Sequence, residues 1–471
     1  MAKKTTSTRA NKNKSFRVGR VRAFMRGRVW YLYYHEHGQR HQPRVGPDRD
    51  LARQTAAEIN AQLEVGMPSA LGFEPISIPQ LRQRWLDHHE HVRRSSVQTI
   101  RRYRSATEHL LHFLRDIRPL RRASDFRPCH AEKFVRYLRS EKVAPNGHAR
   151  ARKRPLRDAG IKYILDTCST LFNYAHRNRH LSPYAENPLR VIEIGRIPVE
   201  DAKPIIIFTP DQERSFLQVC DDWQLPLFLT LLFTGLRPGE VTHLLLPNDL
   251  DLDSGWLYIR NKPNLGWQIK TRNERDIPLV SSLAEVLRLA IGNRTTGPVF
   301  RQRQCENGNT PLLAGQTSAR LEQELLCRVH RLEADGDGSL TRADRLREAG
   351  TIWRDVGAIK PGTVRNEFMR ITAKIELPHV KAPKTLRHTF ATILQDANVD
   401  PLIRNELMGH VPAGSSTLGS GLAMTAVYTH TRPETKRHQL ERALNSRPAI
   451  QDVLEWVRRN TEPHIEDTRS S

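Results

Sequence analysis

The sequence predicts a mainly α-helical protein with small β elements, an α+β fold, and two patterns carry that prediction. Apolar and polar residues alternate over residues 16–45, which is the period of β-strands. Beyond residue 76 apolar residues recur every three or four positions, as in amphipathic helices, with one β excursion at residues 256–279. At about 100–200 residues per domain, the 471 residues allow roughly two to four domains.

The first 66 residues predict a basic arm and then a small β domain. Residues 1–14 are polar and basic, as is typical of a disordered segment. Residues 15–66 predict a three-stranded sheet and one helix that begins after Asp48. Exposed arginines on such a sheet suit the reading of a DNA groove, and a small solubilising domain is the alternative interpretation. The candidate DNA contacts here are Arg20, Arg22 and Arg28.

A linker rich in Pro, Gly and Ser at residues 67–79 leads into a predicted helical domain at residues 76–198. One of its helices has an arginine-rich outer face, and a basic loop at residues 148–154 joins two later helices. A charge run is also typical of a solvated surface, but in so basic a chain it favours contact with phosphate. The candidate DNA contacts of this domain are Arg101, Arg102, Arg104, Arg150, Arg152, Lys153 and Arg154.

Charge and composition restrict the class of protein further. The 75 Lys and Arg residues exceed the 51 Asp and Glu residues by 24, which favours a polyanionic partner: nucleic acid first, an anionic membrane surface second. The longest apolar run, residues 225–236, is too short to cross a bilayer, and the N-terminus lacks the apolar core of a signal peptide. Five scattered cysteines without a C-x-x-C pair exclude a disulfide scaffold and a zinc ribbon. We therefore expect a soluble, intracellular protein without membrane association.

The largest predicted domain, residues 205–446, combines helices with the β excursion and is followed by a C-terminal tail at residues 447–471. Residues 301–361 interrupt this domain as a long polar stretch, which we interpret as an exposed helical insertion. Within that stretch residues 335–339 resemble a calcium loop only superficially, because the required acidic positions are missing.

Short segments of this domain carry side chains suited to chemistry on a phosphate. In chain order they are Arg237 in a tight turn with Glu240 close enough to orient it, Lys270 in a β-hairpin, Lys384 and Arg387 at the start of a helix, His410 after a glycine, and Tyr428. Taken singly, each has an ordinary structural interpretation, such as an ion pair, a surface lysine, a helix cap or a core tyrosine. Their order along the chain is more informative than any one of them.

In this order the segments resemble the tyrosine recombinase (phage integrase) family. The motifs are T-G-L-R-x-G-E, a hairpin Lys, x-x-L-R-H-T-F-A, L-x-G-H and V-Y-T-H, all within residues 234–430. The resemblance implies that residues 205–446 form a mixed α/β catalytic domain. It extends more loosely to the helical domain, which resembles a core-binding (SAM-like) domain, and to the N-terminal sheet, which resembles the arm-binding domain of mobile-element integrases. Family members pack the C-terminal tail on a neighbouring protomer; the alternative is a tail that folds back on its own domain.

The resemblance implies a site-specific recombinase, an integrase that cleaves and rejoins DNA through a covalent 3′-phosphotyrosyl intermediate without metal, ATP or cofactor. Tyr428 would be the nucleophile, and it is the one tyrosine that follows the second Arg motif. Arg237 and Arg387 suit the charge on the non-bridging oxygens, because a guanidinium grips two oxygens at once. His410 would donate a further hydrogen bond, and Lys270 would act as general acid to the 5′-oxygen.

Two features depart from the family pattern. Lys384 stands where the family usually has His. A lysine can contact phosphate, but it is a poorer base for the tyrosine hydroxyl unless its pKa is lowered. A Gly/Ser-rich stretch at residues 411–421 also separates His410 from Tyr428 by more than is usual in the family.

The implied partner is double-stranded DNA at attachment sites, bound by a homotetramer in the bacterial cytoplasm, at the nucleoid. Accessory DNA-bending or directionality proteins are further implied partners. Two alternatives stay open. The first is a non-catalytic DNA-binding protein on a recombinase scaffold, for which Lys384 would be the first sign of decay, and the second is a type IB topoisomerase-like enzyme.

Overall fold

The structure is a computed structural model, and it describes residues 14–116, 120, 122–144, 147, 150–202, 204–336, 338–410 and 431–461. The chain divides into two compact units, Met1–Lys203 and Pro204–Ser471. Both combine helices with small antiparallel sheets, so the α+β prediction is confirmed. In the described part of the chain, no helix is both long and apolar enough to span a membrane.

The first unit begins with an antiparallel sheet of five short strands, where the sequence predicted three. In chain order they are β1 (Ser15–Val18), β2 (Val21–Arg26), β3 (Val29–Glu36), β4 (Gln39–His41) and β5 (Arg44–Gly46). Strands β1 to β4 are neighbours in that order, and β5 pairs with β3 as well. Pro43 lies between β4 and β5. Because proline has no N–H to give to a ladder, it divides the predicted third strand into two.

Helix α1 (Arg49–Glu64) packs on one face of this sheet. The Asp48 carboxylate accepts a hydrogen bond from the Asp50 amide at 2.8 Å and so caps the helix, as predicted. Alternate residues of β2 and β3 face the helix. The resulting core consists of Val21, Ala23, Trp30, Leu32, Tyr34, Ala52, Ala56 and Ile59.

The start of the predicted linker is bound on both of its sides. The buried carboxylate of Glu36, at the end of β3, accepts a hydrogen bond from the Ser69 amide at 3.2 Å. From the other side, Tyr184 donates to the Pro68 carbonyl at 2.6 Å and Ser182 donates to the Ala70 carbonyl at 2.9 Å. These bonds hold the segment between the sheet and the helices that follow it, so sheet and helices form one compact unit.

Four helices form most of the rest of the first unit. They are α2 (Ile78–Asp87), α3 (Val97–Asp116), α4 (Pro128–Ser140) and α5 (Asp158–Arg177). Their apolar faces share one core, in which Trp85, Phe134 and Phe172 are completely buried or nearly so. Between α4 and α5 the short strands β6 (Lys142–Val143) and β7 (Arg154–Pro155) pair and carry the basic loop.

The second unit surrounds α7, an apolar helix that is buried along its whole length. Its helices are α6 (Pro210–Gln218), α7 (Gln224–Thr234), α8 (Pro238–Val241), α9 (Ser281–Ile291), α10 (Arg303–Glu306), α11 (Ser318–Asp335), α12 (Arg342–Asp355), α13 (Pro361–Lys374), α14 (Lys384–Asp396), α15 (Pro401–Met408), α16 (Pro433–Asn445) and α17 (Ala449–Thr461). Its strands are β8 (Leu245–Leu246), β9 (Leu250–Asp251), β10 (Trp256–Ile259), β11 (Arg275–Pro278) and β12 (Gly297–Pro298). β10 lies between β9 and β11, and β8 pairs with β12.

Helices α11 and α12 occupy the stretch that the sequence predicted as an exposed insertion, and one side of each is buried. They pack on each other and on the loop after β10 around a cluster of their own: Leu245, Leu265, Leu321, Leu325, Val329, Ala349, Ile352, Trp353, Val356 and Ala358. The α11 members recur every four residues, which gives a narrow apolar stripe. Many polar residues around that stripe conceal it in the composition of the stretch.

The C-terminal helix α17 folds back on its own unit. Asp452 on α17 accepts two hydrogen bonds, of 2.8 and 2.9 Å, from Arg214 on α6. Ile450 and Val453 are buried in the main core of the unit. Residues 449–461 of the predicted tail thus pack on their own unit in this single chain, and packing of the tail on a neighbouring protomer stays a prediction.

Candidate active site

Arg237 follows α7 in a turn that requires glycine. Gly235 ends the helix with a φ of +61°, and a Cβ at this position would stand 2.3 Å from the Phe390 ring. Two residues later, Nη1 of Arg237 lies 2.7 Å from Oε1 of Glu240, and the Arg237 amide donates to Oε2 at 2.9 Å. One carboxylate therefore fixes both the backbone and the guanidinium of Arg237.

Glu240 is buried and is shared with a second arginine that the sequence analysis missed. Nη2 of Arg275, on β11, lies 2.7 Å from Oε2 of Glu240, and the Arg275 side chain is only 4 % exposed. Burial opposes ionisation of Glu240, but the charge and hydrogen bonds of Arg275, joined by those of Arg237, outweigh it and lower the pKa of the carboxyl. Glu240 is therefore an anion at neutral pH.

The strand pattern contained a signal for Arg275. Side chains alternate across a strand, so Arg275 shares a face with the completely buried Ile277. A charged residue on the inner face of a strand requires a buried partner. Arg275 has Glu240 and also the carbonyl of Leu407, to which its Nε donates at 2.9 Å.

Arg387 is buried in the first turn of α14 and connects two other turns of the chain. Its Nη1 donates to the Gly235 carbonyl at 2.5 Å, and its Nη2 donates to the Met408 carbonyl. Burial, and then the charge of Arg237, lowers the pKa of Arg387 to about 10, so the guanidinium is still charged at neutral pH. Because the positive charges of Arg237 and Arg387 are close enough to repel each other, an anion that binds between them is stabilised.

His410 directly follows α15, beside these arginines. Its Nε2 lies 3.4 Å from Nη2 of Arg387. Gly409 ends α15 with a φ of +61°, and a Cβ there would stand 2.9 Å from Nη1 of Arg275. Partial burial and then the charges of the three arginines lower the pKa of His410. The imidazole is therefore neutral at pH 7, with one N–H to donate.

The structure thus brings together four of the residues singled out from the sequence: Arg237, Glu240, Arg387 and His410. They come from three segments that are far apart in the chain, and Arg275 joins these segments from β11. Lys270, Lys384 and Tyr428 differ in how they relate to this group.

Lys270 lies on the loop between β10 and β11, in a turn and not in a strand of the β-hairpin predicted for it. Pro263 and Gly266, whose φ is +67°, form a 3-10 turn in this loop, and Trp267 makes only an isolated bridge to Lys262. The strand prediction was wrong because these two residues end the alternating pattern.

The exposed Lys270 is held near the site by its chain neighbours. The Arg272 amide donates to the Ile269 carbonyl at 2.9 Å and closes the turn around Lys270. The Thr271 hydroxyl then lies 3.4 Å from the carbonyl of Gly409, directly before His410. The loop therefore reaches the group of arginines, while the Lys270 side chain itself faces solvent.

Lys384 is the first residue of α14 and is exposed, whereas Arg387, one turn later, is buried. Burial and then the charge of Lys384 lower the pKa of His388. Lys384 therefore lies close to His388 on the exposed side of the helix that carries Arg387. Its part in catalysis stays a prediction.

Tyr428 and the stretch at residues 411–421 lie outside the described residues. The described chain resumes at Thr431, whose hydroxyl donates to Oε1 of Glu406 on α15 at 2.9 Å. Lys436 on α16 pairs with the same carboxylate at 2.8 Å. The segment after the predicted nucleophile therefore lies beside the helix that positions His410.

The candidate DNA contacts of the helical domain are all exposed. Arg101, Arg102 and Arg104 lie on α3, where the guanidinium of Arg102 also covers the Tyr163 ring at 4.1 Å. Arg150, Arg152 and Lys153 lie on the connection between β6 and β7, and Arg154 is the first residue of β7. Arg102 is thus partly engaged by its own domain, whereas the others project from it.

The N-terminal candidates divide in the same way. Arg20 lies in the turn after β1 and is tied to α1, because its amide donates to Asn60 at 2.7 Å. Arg28 lies in the turn between β2 and β3, and Arg22 lies on the outer face of the sheet. This outer face is also aromatic, as the alternation of Tyr31 and Tyr33 with the buried Trp30, Leu32 and Tyr34 predicts. Its further members, identified by cross-strand pairing and ring contacts, are Arg17, Phe24, Arg26, Tyr31, Tyr33 and Arg40.

The five cysteines are free thiols. Among the residues that the structure describes, no three His, Cys, Asp or Glu side chains are grouped so that they could hold a metal ion.

Buried arginines around one ionised carboxylate, with a neutral imidazole beside them, define a site for a phosphodiester on a strongly basic α+β chain. Residues 207–435 match the model of the phage integrase family. Tyrosine recombinase XerC of Pelotomaculum thermopropionicum is 25 % identical over 295 residues, 61 % of this chain and 75 % of that protein. A tyrosine recombinase of Pseudothermotoga lettingae is 24 % identical over 373 residues, 77 % of this chain and 97 % of that protein. Residues 207–435 therefore form a domain of the phage integrase family, and the matches support a tyrosine recombinase.

Two similar solved structures are also integrases. The Tn1549 transposon integrase in complex with a circular intermediate DNA is 19 % identical, with a TM-score of 0.44, over 78 % of this chain and 99 % of that one. A lambda integrase dimer bound to a COC′ core site is 14 % identical, with a TM-score of 0.46, over 86 % of this chain and 93 % of that one.

Proposed function

We propose that this tyrosine recombinase is a site-specific DNA integrase of a mobile element that cleaves and rejoins strands through Tyr428. The observation that carries the proposal is the group formed by Arg237, Arg387 and His410 around Glu240. Four segments supply this group and its brace Arg275, and each guanidinium is oriented by protein acceptors before any substrate binds. Preorganised donors of this kind stabilise charge that develops on a phosphate.

In the proposed reaction the Tyr428 hydroxyl gives its proton to solvent as its oxygen attacks the scissile phosphorus, and the bond from phosphorus to the 5′-oxygen breaks. Arg237 and Arg387 bind the non-bridging oxygens, and the neutral His410 donates a further hydrogen bond to them. The Lys270 ammonium gives its proton to the departing 5′-oxygen. The DNA is then held as a 3′-phosphotyrosine, which retains the energy of the broken bond. Attack by a 5′-hydroxyl reverses the steps and restores both the DNA linkage and the tyrosine.

We propose that the first unit and its basic faces bind the DNA that this site cleaves. The excess of 24 positive charges and the exposed arginines of α3, of the β6–β7 loop and of the N-terminal sheet support such a role. In this proposal the helical part binds core sites, and the sheet binds arm sites. Exchange of four strands between two duplexes requires four nucleophiles, so the active assembly is a homotetramer. It acts on attachment sites in the bacterial nucleoid together with accessory bending or directionality proteins.

The alternatives raised by the sequence, a non-catalytic DNA-binding protein and a type IB topoisomerase, are not favoured. The relatives that match are tyrosine recombinases. The arginines, Lys270, His410 and Tyr428 are all present, although Lys384 replaces a histidine.

A nicked duplex that carries the attachment site tests the proposal, because the short fragment diffuses away after cleavage and the covalent adduct accumulates. Wild-type protein is expected to form the adduct in EDTA without ATP. Tyr428→Phe is expected to bind the duplex equally well and to form no adduct. Tight binding by the wild type with no adduct would identify the chain as a DNA-binding protein on a recombinase scaffold.

A further inference from the structure

The loop that carries Lys270 is bound by the helical hairpin α11–α12. Nε1 of Trp353, on α12, donates to the carbonyl of Leu265 in the loop at 2.9 Å. Nδ2 of Asn264 donates to Oε2 of Glu322, on α11, at 3.0 Å. Leu265 itself is only 1 % exposed and is part of the apolar cluster of the hairpin. Both helices of the hairpin therefore bind the same four-residue turn at the start of the loop.

The fit between the turn and α12 leaves no room for a side chain. Gly266 has a φ of +67°, and a Cβ on it would stand 2.6 Å from the Cβ of Ala349. Interiors packed this closely hold their parts in one arrangement, since small shifts create clashes or voids. The hairpin thus fixes the backbone of the turn as well as its hydrogen bonds.

His243 extends this contact to the turn that orients Arg237. Its ring stacks on Trp267 of the loop with a centroid distance of 4.9 Å, and it makes a T-shaped contact with the Trp353 ring at a centroid distance of 4.5 Å. Its Nδ1 lies 2.7 Å from the carbonyl of Gly239, which neighbours Glu240. The two tryptophans and His243 therefore form one rigid group that contacts the loop, the hairpin and α8.

Only a short length of chain separates this group from Lys270. Trp267 is stacked in the group, and Ile269, directly before Lys270, is 2 % exposed in the main core. The Ile269 amide donates to Oδ1 of Asn261 at 2.9 Å, at the base of the loop. The exposed Lys270 thus directly follows the buried Ile269, so the packing of Ile269 in the core sets the position of the Lys270 Cα.

We propose that the α11–α12 hairpin is a brace that positions Lys270 relative to the Arg237–Glu240 turn for proton transfer to the leaving 5′-oxygen. In this account Trp353, His243 and Gly266 are positioning residues that do not touch DNA. The inference rests on the proposed function, because it takes Lys270 as the general acid. Proton transfer requires hydrogen-bond distance between the donor and the leaving oxygen, and a misplacement of about 1 Å can cost on the order of a hundredfold in rate.

The test compares two leaving groups in a single-turnover cleavage assay with the full-length protein. The duplexes carry either the normal 5′-oxygen or a bridging 5′-sulfur at the scissile phosphate. Sulfur departs as a thiolate and needs no proton, so loss of the general acid does not slow that substrate. Trp353→Phe is expected to slow 5′-oxygen cleavage about 10- to 100-fold and to cleave the 5′-sulfur duplex at close to the wild-type rate.

Matched variants separate the brace from a general loss of structure. Trp223→Phe removes an indole that donates to the Arg301 carbonyl at 3.0 Å, away from the loop, and should leave both substrates unchanged. Asn264→Ala, at an exposed position, should reproduce the Trp353→Phe pattern more weakly without endangering folding. The brace would be overturned if Trp353→Phe and Asn264→Ala slowed cleavage of the 5′-oxygen and 5′-sulfur duplexes equally. It would also be overturned if these two variants slowed cleavage of neither duplex.

Lys270→Ala tests the underlying assignment in the same assay. Its 5′-oxygen cleavage should fall by about 10²- to 10⁴-fold, and the 5′-sulfur duplex should restore it. Arg387→Ala is the control, because Arg387 donates no proton to the leaving group and sulfur should not restore its cleavage. If the 5′-sulfur duplex does not restore Lys270→Ala either, Lys270 is not the general acid and that part of the proposed function fails. If Lys270→Ala is restored and Trp353→Phe is not, the proposed function stands and the brace alone is wrong.

Discussion

Two groups of arginines in this protein differ in what holds them. In the second unit Arg387 and Arg275 are buried, and each donates to at least two protein acceptors. In the first unit Arg101 and Arg104 project from α3 into solvent. Burying a guanidinium costs free energy unless its donors are satisfied, so a buried group is oriented before substrate arrives. An exposed arginine must be ordered on binding, and it contributes attraction to any phosphate within reach.

The comparison implies a division of labour: the buried group accelerates the chemical step, and the exposed group supplies affinity for DNA. Four predictions test this division, in order of decreasing expected effect.

The largest effect is expected from Arg387→Lys. Lysine keeps the charge but lacks the planar guanidinium, whose several N–H groups let Arg387 donate to the Gly235 carbonyl and, in the proposed reaction, to a phosphate at the same time. Single-turnover cleavage at saturating DNA should fall by roughly 10²- to 10³-fold, with little change in affinity. The matched control is Arg101→Lys on α3, for which the cleavage rate should stay near wild type. Equal losses in the two variants would refute the division of labour.

Glu240→Gln should come next, and it should affect stability as well as rate. The amide cannot neutralise Arg275, which is left as a buried charge beside Arg237. A buried pair that loses one partner costs about 3–5 kcal/mol in the free energy of unfolding. Urea unfolding measures the loss. Glu108→Gln removes the partner of Arg82 in a more exposed ion pair and should cost at most about 1 kcal/mol. A Glu240→Gln protein as stable as the Glu108→Gln control would show that the carboxylate is not needed to hold the arginines.

His243 should make stability depend on acid. Burial, opposed by the hydrogen bond to Gly239, lowers the pKa of His243 from 6.5 to about 4. Because the unfolded chain takes up the proton first, stability is fully present above pH 6.5 and is lost as the pH falls toward 4. The loss is on the order of 3 kcal/mol, from about 1.36 kcal/mol for each pKa unit. Unfolding at pH 7 and at pH 4.5 measures it, and His243→Phe should reduce the difference between the two. An unchanged difference in His243→Phe would place the acid sensitivity elsewhere.

The smallest effects are expected from the exposed group. Arg101→Ala or Arg104→Ala should each reduce the slope of log affinity against log salt by about 1, because each contact releases about one counterion. The cleavage rate at saturating DNA should not change. Fluorescence anisotropy over a salt series gives the slope. If one of these variants bound DNA with normal affinity but cleaved it slowly, the substituted arginine would contribute to the chemical step and not to DNA affinity.

The same contrast explains what could be predicted from the sequence. Arg237, Arg387 and His410 stand in local motifs, in which the helix end, the turn and the candidate residue are adjacent in the chain, so the sequence could assign them to one site. Arg275 has no such motif, because its partners Glu240 and Leu407 come from distant segments. Its position on the inner face of a strand was the one available signal.

The secondary structure follows a similar rule. The cap of α1 at Asp48 depends on neighbouring residues and was predicted. The division of the third strand at Pro43 was readable but was overlooked. The packing of residues 301–361 on the Lys270 loop could not be read at all, since Trp353 and Leu265 meet only in the folded chain.

The most direct test of the central claim is to find the residue to which cleaved DNA becomes attached. Trypsin should release residues 405–436 as one peptide, because no Lys or Arg lies between Arg404 and Arg432 and the Arg432–Pro433 bond resists trypsin. After nuclease treatment of the trapped adduct, tandem mass spectrometry locates the remaining nucleotide on that peptide. Attachment is expected at Tyr428 and at no serine or threonine of the peptide. Attachment to any other residue, or to any other peptide, would contradict it.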